Sequence, residues 1–300
     1  MSTPASFGPQ AVADPRYIAA MTKTVVCLCA VVMGFASSCS RHEVVPEHPA
    51  KQGPAAPAPQ GGPSETSLAP APGEGTPSNG DSLATSKGPV QILPIQHAAV
   101  MFSFGGKHIY VDPAAEGNYQ GLPKADFIFI THGHFDHFDQ PRISSLRGTA
   151  TVVVGPPDVA AQISGAQSMK SGDKSAFASF EVVAVPSYNL VRGPKPGQLF
   201  HPKGQGEGFI FTFGDKRIYV SGDTECTPEM KALENIDVAF VCMRLPYTMP
   251  PKEAAECIKM FKPRVVYPYH YQTSNLQELT AALATEKSIE VRLRDWYPKK

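Results

Sequence analysis

The stretch Thr131-His132-Gly133-His134-Phe135-Asp136-His137-Phe138-Asp139 gathers three histidines and two carboxylates within nine residues. The whole 300-residue chain holds nine histidines. Imidazole nitrogen and carboxylate oxygen are the donors that zinc and similar divalent ions take. In an extended turn, residues two apart face the same way, so His132 and His134 can share one ion. Asp136 and His137, on the next bend, can reach a second ion. Gly133 lets the backbone turn without a Cβ clash. A single histidine on an apolar face is more often a satisfied core residue. Four ligand-type side chains at this spacing point instead to a metal centre.

Such a cluster has to be held by regular elements. Phe127-Ile128-Phe129-Ile130 runs directly into it and reads as a strand covered on both faces. Further strands are expected at 91–95, 98–104, 107–111, 151–154, 180–185, 209–213, 217–220, 237–241 and 264–267. Gly105-Gly106 and Gly214-Asp215 read as hairpin turns. Helices are expected at 228–235, where Thr227 is an N-cap candidate, at 252–261, and around Leu276, Leu279 and Leu283 after Thr273-Ser274-Asn275. Hairpins followed by strand–helix–strand alternation predict an α/β domain of mixed sheets covered by helices. No internal repeat is visible. Ser221-Gly222-Asp223-Thr224 and Tyr267-Pro268-Tyr269-His270-Tyr271 end two of these strands, which would bring Asp223 and His270 to the same sheet edge.

The HxHxDH pattern at 132–137, the later Gly-Asp-Thr and the final Pro-Tyr-His resemble the metallo-β-lactamase superfamily of hydrolases. Gln96-His97-Ala98, Val111-Asp112-Pro113, Gly222-Asp223-Thr224-Glu225 and Pro268-Tyr269-His270-Tyr271 look like its ascorbate-6-phosphate lactonase-like branch. The similarity covers residues 91–300. It implies an αββα sandwich, two mixed β-sheets with helices outside, holding one or two divalent metal ions, usually Zn2+ with Mn2+ as the alternative. It implies His132 and His134 on a first metal, Asp136, His137 and His270 on a second, and Asp223 bridging. Asp112 and His97 would stand behind the ligands, although His97 reads equally well as a buried strand-end histidine. The family's third ligand of the first metal is a histidine between the two motifs. Here Asn189 stands where some relatives have it, and the interval holds only His201, so His201 is assigned, with Asn189 or water as the other reading.

The expected reaction is hydrolysis by a metal-activated water, with Asp136 orienting the nucleophile and collecting its proton. An ester, lactone or phosphodiester of a small molecule would suit such a centre. Arg192, Lys203 and Arg244 could meet an anionic group, and Tyr188, Tyr247, Tyr271 and the 246–251 loop could line a pocket. The rival reading is a catalytically silent metal-binding sensor or scaffold, hinted at only by Asn189. A formal net charge of zero gives no electrostatic footprint for nucleic acid and argues against a nuclease.

The N-terminal part reads differently. Lys23, the apolar run Val25 to Ala36 and Ala36-Ser37-Ser38-Cys39 describe a secretory signal with lipobox character, with Met21 the better start. An ordinary cleaved signal with an incidental Cys39 is the competing reading. Residues 41–90 hold ten of the thirty prolines and no aromatic residue. The expected organisation is a signal over 1–39, a disordered tether over 40–89 and a hydrolase domain over 90–300. Lipidation at Cys39 would anchor the exported domain in the cell envelope, on the outer membrane if the source has two. Cys226, Cys242 and Cys257 have no zinc-finger spacing and are expected to be buried thiols, with one disulfide at most.

Overall fold

A computed structural model describes residues 80–177 and 179–297. The signal segment, Cys39 and the tether as far as residue 79 lie outside the described residues. The described strands form two seven-stranded sheets, each with its strands in chain order. The first contains β1 (Asp81–Leu83), β2 (Val90–Gln96), β3 (Ala99–Phe104), β4 (Lys107–Val111), β5 (Ala125–Phe129), β6 (Arg147–Gly155) and β7 (Gln167–Ser168). The second contains β8 (Lys174–Phe177), β9 (Phe180–Ser187), β10 (Gly206–Phe213), β11 (Lys216–Val220), β12 (Val238–Cys242), β13 (Val265–Tyr269) and β14 (Glu290–Val291). The helices are α1 (Gln140–Leu146), α2 (Pro157–Ala160), α3 (Pro228–Lys231), α4 (Pro251–Phe261) and α5 (Leu276–Leu283).

Side-chain alternation along the strands builds the layers. Phe102, Ile109, Phe127 and Phe129 point to the core between the sheets, while Met101, Tyr110 and Ile128 point to the opposite face. Between the sheets Phe129 meets Phe211 edge-on at 5.0 Å and Phe102 lies 5.5 Å from Phe211. Ile143 and Leu146 of α1 and Val159 of α2 cover the first sheet's outer face. Met230 of α3, Ile258 and Phe261 of α4 and Leu279 and Leu283 of α5 are buried with the second sheet. Helices therefore lie outside two face-to-face sheets, the αββα arrangement.

The two sheets share one pairing scheme, which the sequence does not display. In each, the first four strands pair antiparallel, and the fourth to seventh pair parallel. Only apolar alternation and a glycine turn are required for such a repeat, so the two copies need share no motif.

Three expectations are corrected. The fold begins before Val90: β1 pairs with β2, and the Asp81 carboxylate accepts hydrogen bonds from Arg294 Nε and Tyr267 Oη, both 2.8 Å. The low apolar content of 80–89 concealed this, because edge pairing relies on backbone hydrogen bonds and on residues some 200 positions away. The domain cysteines are not three thiols either. Cys226 and Cys257 form a disulfide with Cα atoms 5.6 Å apart, and Cys242 remains a buried thiol. Their sequence separation of 31 gave no framework to read. The helix from Pro228 is also shorter than expected, ending at Lys231.

Candidate metal centre

Every side chain proposed as a ligand sits on a turn just past a strand end or on a loop folded over one. The segment after β5 leaves Ile130 N bonded to Val154 O (2.9 Å) and turns, with His137 N and Phe138 N donating to His134 O. After β11, Gly222 takes φ +61° and lies so close to Glu207 O and Thr131 Cβ that an added Cβ would sit about 3.1 Å from both. Only glycine fits there, and it delivers Asp223. His270, just past β13, and His97, between β2 and β3, adopt φ +49° and +59°. Left-handed backbone at non-glycine residues costs about 1–2 kcal/mol each. Here it is braced: His270 N donates to His97 O (3.0 Å) and His97 N to Trp296 O (3.1 Å).

Two sets of donors result. His132, His134 and His201 form one, with His132 Nε2 and His134 Nδ1 3.1 Å apart. His97, Asp136, His137 and His270 form the other. Asp223 stands between them. One oxygen lies 3.3 Å from His201 Nε2 and 3.6 Å from His270 Nε2, and the other lies 3.4 Å from His137 Nε2. His97 is nearer than the sequence reading placed it. Its Nε2 lies 3.1 Å from Asp136 Oδ2, and its Nδ1 pairs with Tyr297 Oη at 2.8 Å.

The residues fit a metal. His137 Nε2, Asp223 Oδ1 and both ring nitrogens of His270 are buried without a hydrogen-bond partner. Such orphans are rare and costly in a folded interior, and those on His137, Asp223 and His270, residues of the donor sets, want a cation. Burial, with like charge from His137, holds His132 well below the ordinary imidazole value. Burial also lowers His134 and His270. Neutral imidazole is the form that ligates. Burial would raise Asp223, but the neighbouring His270, His137 and His201 rings hold it well below the carboxylate range. Burial opposes a charge on His137, and Asp223 and Asp112 outweigh it, raising that ring above its usual value.

Behind the ligands lies a buried polar layer. The Asp112 carboxylate accepts from Thr131 N and Thr131 Oγ1 (both 2.7 Å) and from His137 Nδ1 (2.8 Å). With its proton given to Asp112, the Thr131 hydroxyl can accept from His132 Nδ1 at 3.0 Å. Both imidazoles then turn Nε2 toward the centre, the usual role of a carboxylate behind a ligating histidine. Asn189 turns its amide oxygen toward His201. Its Oδ1 accepts from His201 N (2.9 Å) and pairs with His201 Nδ1.

The cleft over the centre runs in two connected hollows that share His134, Phe200, His201 and Asp223. Phe135, Arg244 and Tyr247 line one, and Asp158, Gln162 and Gln205 line the other. Arg244 lies over the Tyr247 ring (4.8 Å) with Nη1 3.4 Å from Asp136 Oδ2. The other candidate pocket residues are engaged elsewhere. Arg192 pairs with Glu225 and Glu253, Lys203 and Tyr188 with Glu229, and Tyr271 Oη donates to Arg294 O. Thr131, Glu225 and Tyr297 are site residues whose roles sequence reading did not assign. Glu225 and Thr131 lay within quoted stretches, but nothing in the chain marks Tyr297.

The sequence matches the family described as the beta-lactamase superfamily domain over residues 91–270. A UPF0173 metal-dependent hydrolase of Anaeromyxobacter dehalogenans is 30% identical over 241 residues, covering 69% of this chain and 85% of that protein. A UPF0173 metal-dependent hydrolase of Thermus thermophilus is 29% identical over 214 residues, covering 67% and 94%. The crystal structure of a candidate metal-dependent hydrolase from Parabacteroides distasonis aligns with TM-score 0.69 at 37% identity, covering 73% of this chain and 99% of the other. Igni18, a metallo hydrolase from Ignicoccus hospitalis, shares the fold, with TM-score 0.58 at 21% identity over 70% of this chain and 99% of its own.

Proposed function

The chain belongs to the beta-lactamase superfamily as a metal-dependent hydrolase, and on that premise we propose that it cleaves an ester, lactone or phosphodiester bond of a small molecule at a two-metal centre. One observation carries the reading: Asp223 stands between two donor sets, within 3.3–3.6 Å of a histidine nitrogen from each. Zinc suits this nitrogen and oxygen donor set, with manganese as the alternative. The first ion would be held by His132, His134 and His201, and the second by Asp136, His137 and His270, with His97 in reach and Asp223 shared. When bound, the ions supply an activated water at neutral pH and polarise the scissile group.

The chain's own residues supply the rest. Asp136 Oδ2 faces the cleft beside His97 Nε2 and Arg244 Nη1, positioned to orient the attacking water and take its proton. Arg244 sets a positive charge where negative charge develops on the substrate. Phe135, Phe200 and Tyr247 offer apolar walls suited to a small organic substrate rather than a polyanion. The grouping of His201 with His132 and His134 supports His201 as the third ligand and weighs against a silent metal-binding scaffold.

We also propose export and lipid anchoring through Cys39, in the outer membrane where the source has two. The signal-like N-terminus supports this, and so does the Cys226–Cys257 disulfide, since disulfides persist in oxidising compartments. Among the described residues no helix is long and apolar enough to cross a membrane. Loss of membrane association on Cys39→Ser, read by fractionation, is the expected result.

The first measurement is metal content per chain, purified without chelator, beside a His132→Ala/Asp223→Ala double variant. Two equivalents, lost in the variant, are expected, together with turnover of ester, lactone or phosphodiester probes. A folded wild-type protein that takes up neither zinc nor manganese would sink the reading.

A further inference from the structure

Glu225 is buried two residues beyond Asp223, with its carboxylate engaged by residues 189–192. Oε1 accepts hydrogen bonds from Asn189 Nδ2 (3.0 Å) and Arg192 N (2.8 Å). Oε2 accepts from Leu190 N (3.0 Å) and Val191 N (3.1 Å). Arg192 Nη1 lies 3.2 Å from Oε1 and ties the same guanidinium to Glu253 of α4. A carboxylate that takes four N–H groups is doing more than filling space. It dictates the geometry of residues 189–192.

Hydrogen-bond logic carries the consequence to the centre. Asn189 Nδ2 faces two groups that can only accept, the Glu225 carboxylate and Tyr247 O (2.8 Å). The amide nitrogen must therefore lie on that side, which leaves Oδ1 toward His201. Oδ1 can only accept, so His201 Nδ1 must carry the proton. Nε2 is then left with its lone pair, facing Asp223 and grouped with His132 and His134. No choice of amide or ring orientation is free once Glu225 is a carboxylate.

We propose that Glu225 is a positioning residue of the metal centre, which through Asn189 fixes His201 as the Nδ1–H tautomer with Nε2 presented to the first metal. This rests on the reading of His132, His134 and His201 as one donor set. The role is separable from mere support of the fold. A carboxamide at 225 would bring an NH2 group against N–H donors. The NH2 would face either Asn189 Nδ2 and Arg192 N or Leu190 N and Val191 N, so the 189–192 segment must shift, and the Asn189 Oδ1 that holds the His201 Nδ1 proton is displaced with it.

The test uses the full chain. Nitrogen-15 NMR of the metal-free protein reads the His201 ring tautomer, assigned by comparison with His201→Gln. The wild type is expected to show protonated Nδ1 and an unprotonated, pyridine-like Nε2, and Glu225→Gln is expected to lose that signature. Zinc titration should then show one site weakened by about 10- to 100-fold, the effect typical of removing a ligand's hydrogen-bond partner, with the other site unchanged. Glu225→Asp should recover part of the loss. A wild-type His201 protonated on Nε2 would overturn the proposal without any variant, even if Glu225→Gln did not fold. A folded Glu225→Gln with the wild-type tautomer and both affinities intact would overturn it as well. If the wild type bound no zinc, the functional reading would fall, yet the tautomer measurement would still decide the role of Glu225.

Discussion

The two halves of the domain share their scaffold down to single side chains and part company at the strand ends. In the first half, Asp126 accepts from His108 N (2.9 Å) and pairs with Lys107 Nζ (2.9 Å). In the second, Asp237 accepts from Arg217 N (2.9 Å) and lies 3.9 Å from Lys216 Nζ. Asp112 N donates to Phe129 O and Ser221 N donates to Phe240 O at the matching place past β4 and β11. From there the halves diverge. The chain after β4 turns at once, with Asp112 at φ +47°, and tucks its carboxylate beneath His137 and Thr131. The chain after β11 runs on through Gly222 and lifts Asp223 between the two donor sets. Three histidines and Asp136 come from the loop after β5, whereas the matching loop after β12 gives Arg244 to the cleft wall. The repeat supplies rigid, convergent strand ends, and the loop residues divide the chemistry between them.

The halves also hold their histidines by parallel devices. Asp112 works through Thr131 on His132 and directly on His137, and Glu225 works through Asn189 on His201. Each device is a buried carboxylate at or just past the matching strand, acting through a short polar side chain.

If each half contributes a different part of one centre, neither can be spared. The largest effect is expected from His132→Ala/Asp223→Ala, which takes one ligand from each half. Metal analysis should find no bound ion, and activity should fall further than the roughly 100-fold upper range for a residue behind the ligands. Next comes Asp112→Ala, which leaves His137 Nδ1 and Thr131 N without their acceptor. Metal affinity should drop about 10- to 100-fold, and urea unfolding should show a loss of about 2–4 kcal/mol. Its counterpart, Ser221→Ala, loses neutral hydroxyl bonds, to Gly222 O and from Cys242 N among them, and should cost about 1 kcal/mol. Equal costs at the two positions would break the comparison.

The disulfide staples only the second half, joining the loop that carries Asp223 and Glu225 to α4. Cys226→Ser/Cys257→Ser should destabilise the protein by about 3–4 kcal/mol, from the closure entropy of a 31-residue separation. Unfolding of the wild type with and without reductant checks this. The last contrast concerns Glu207, for which register gives Ala98 as the first-half counterpart. Burial pushes the Glu207 carboxyl up to about 7, against hydrogen bonds from Ser171. The folded state therefore keeps a proton there that the unfolded chain releases at the usual carboxylate pH. Stability from this group is present below about 4.5 and is lost as pH rises toward about 7. Glu207→Gln should flatten that part of the stability–pH curve, and an unchanged slope would remove Glu207 as its source.

Legibility in the sequence followed range. The strand before His132, the hairpin glycines and the HxHxDH spacing are local, and the structure forms β5, the β3–β4 hairpin and the β10–β11 hairpin where they were expected. α1 was missed because only Ile143 and Leu146 mark its buried face, too few to show a helical period. β1 was missed because its pairing with β2 uses backbone hydrogen bonds, and its side-chain anchors, Tyr267 and Arg294, lie far along the chain. The disulfide was missed because three scattered cysteines leave the pairing to the fold.

By itself the sequence determined the kind of chemistry, since the types and spacing of His132, His134, Asp136 and His137 already call for divalent metal. Alternating apolar residues likewise fixed a fold of mixed sheets and helices. Only the tertiary structure decided how the centre is completed: that Asp223 stands between the donor sets, that His201 rather than Asn189 joins His132 and His134, and that His97 comes within reach of Asp136. The reason is physical. Spacing along one turn sets which neighbouring side chains can share an ion, but the remaining donors arrive from other strand ends, and their aim depends on backbone turns and buried hydrogen bonds between residues distant in the chain.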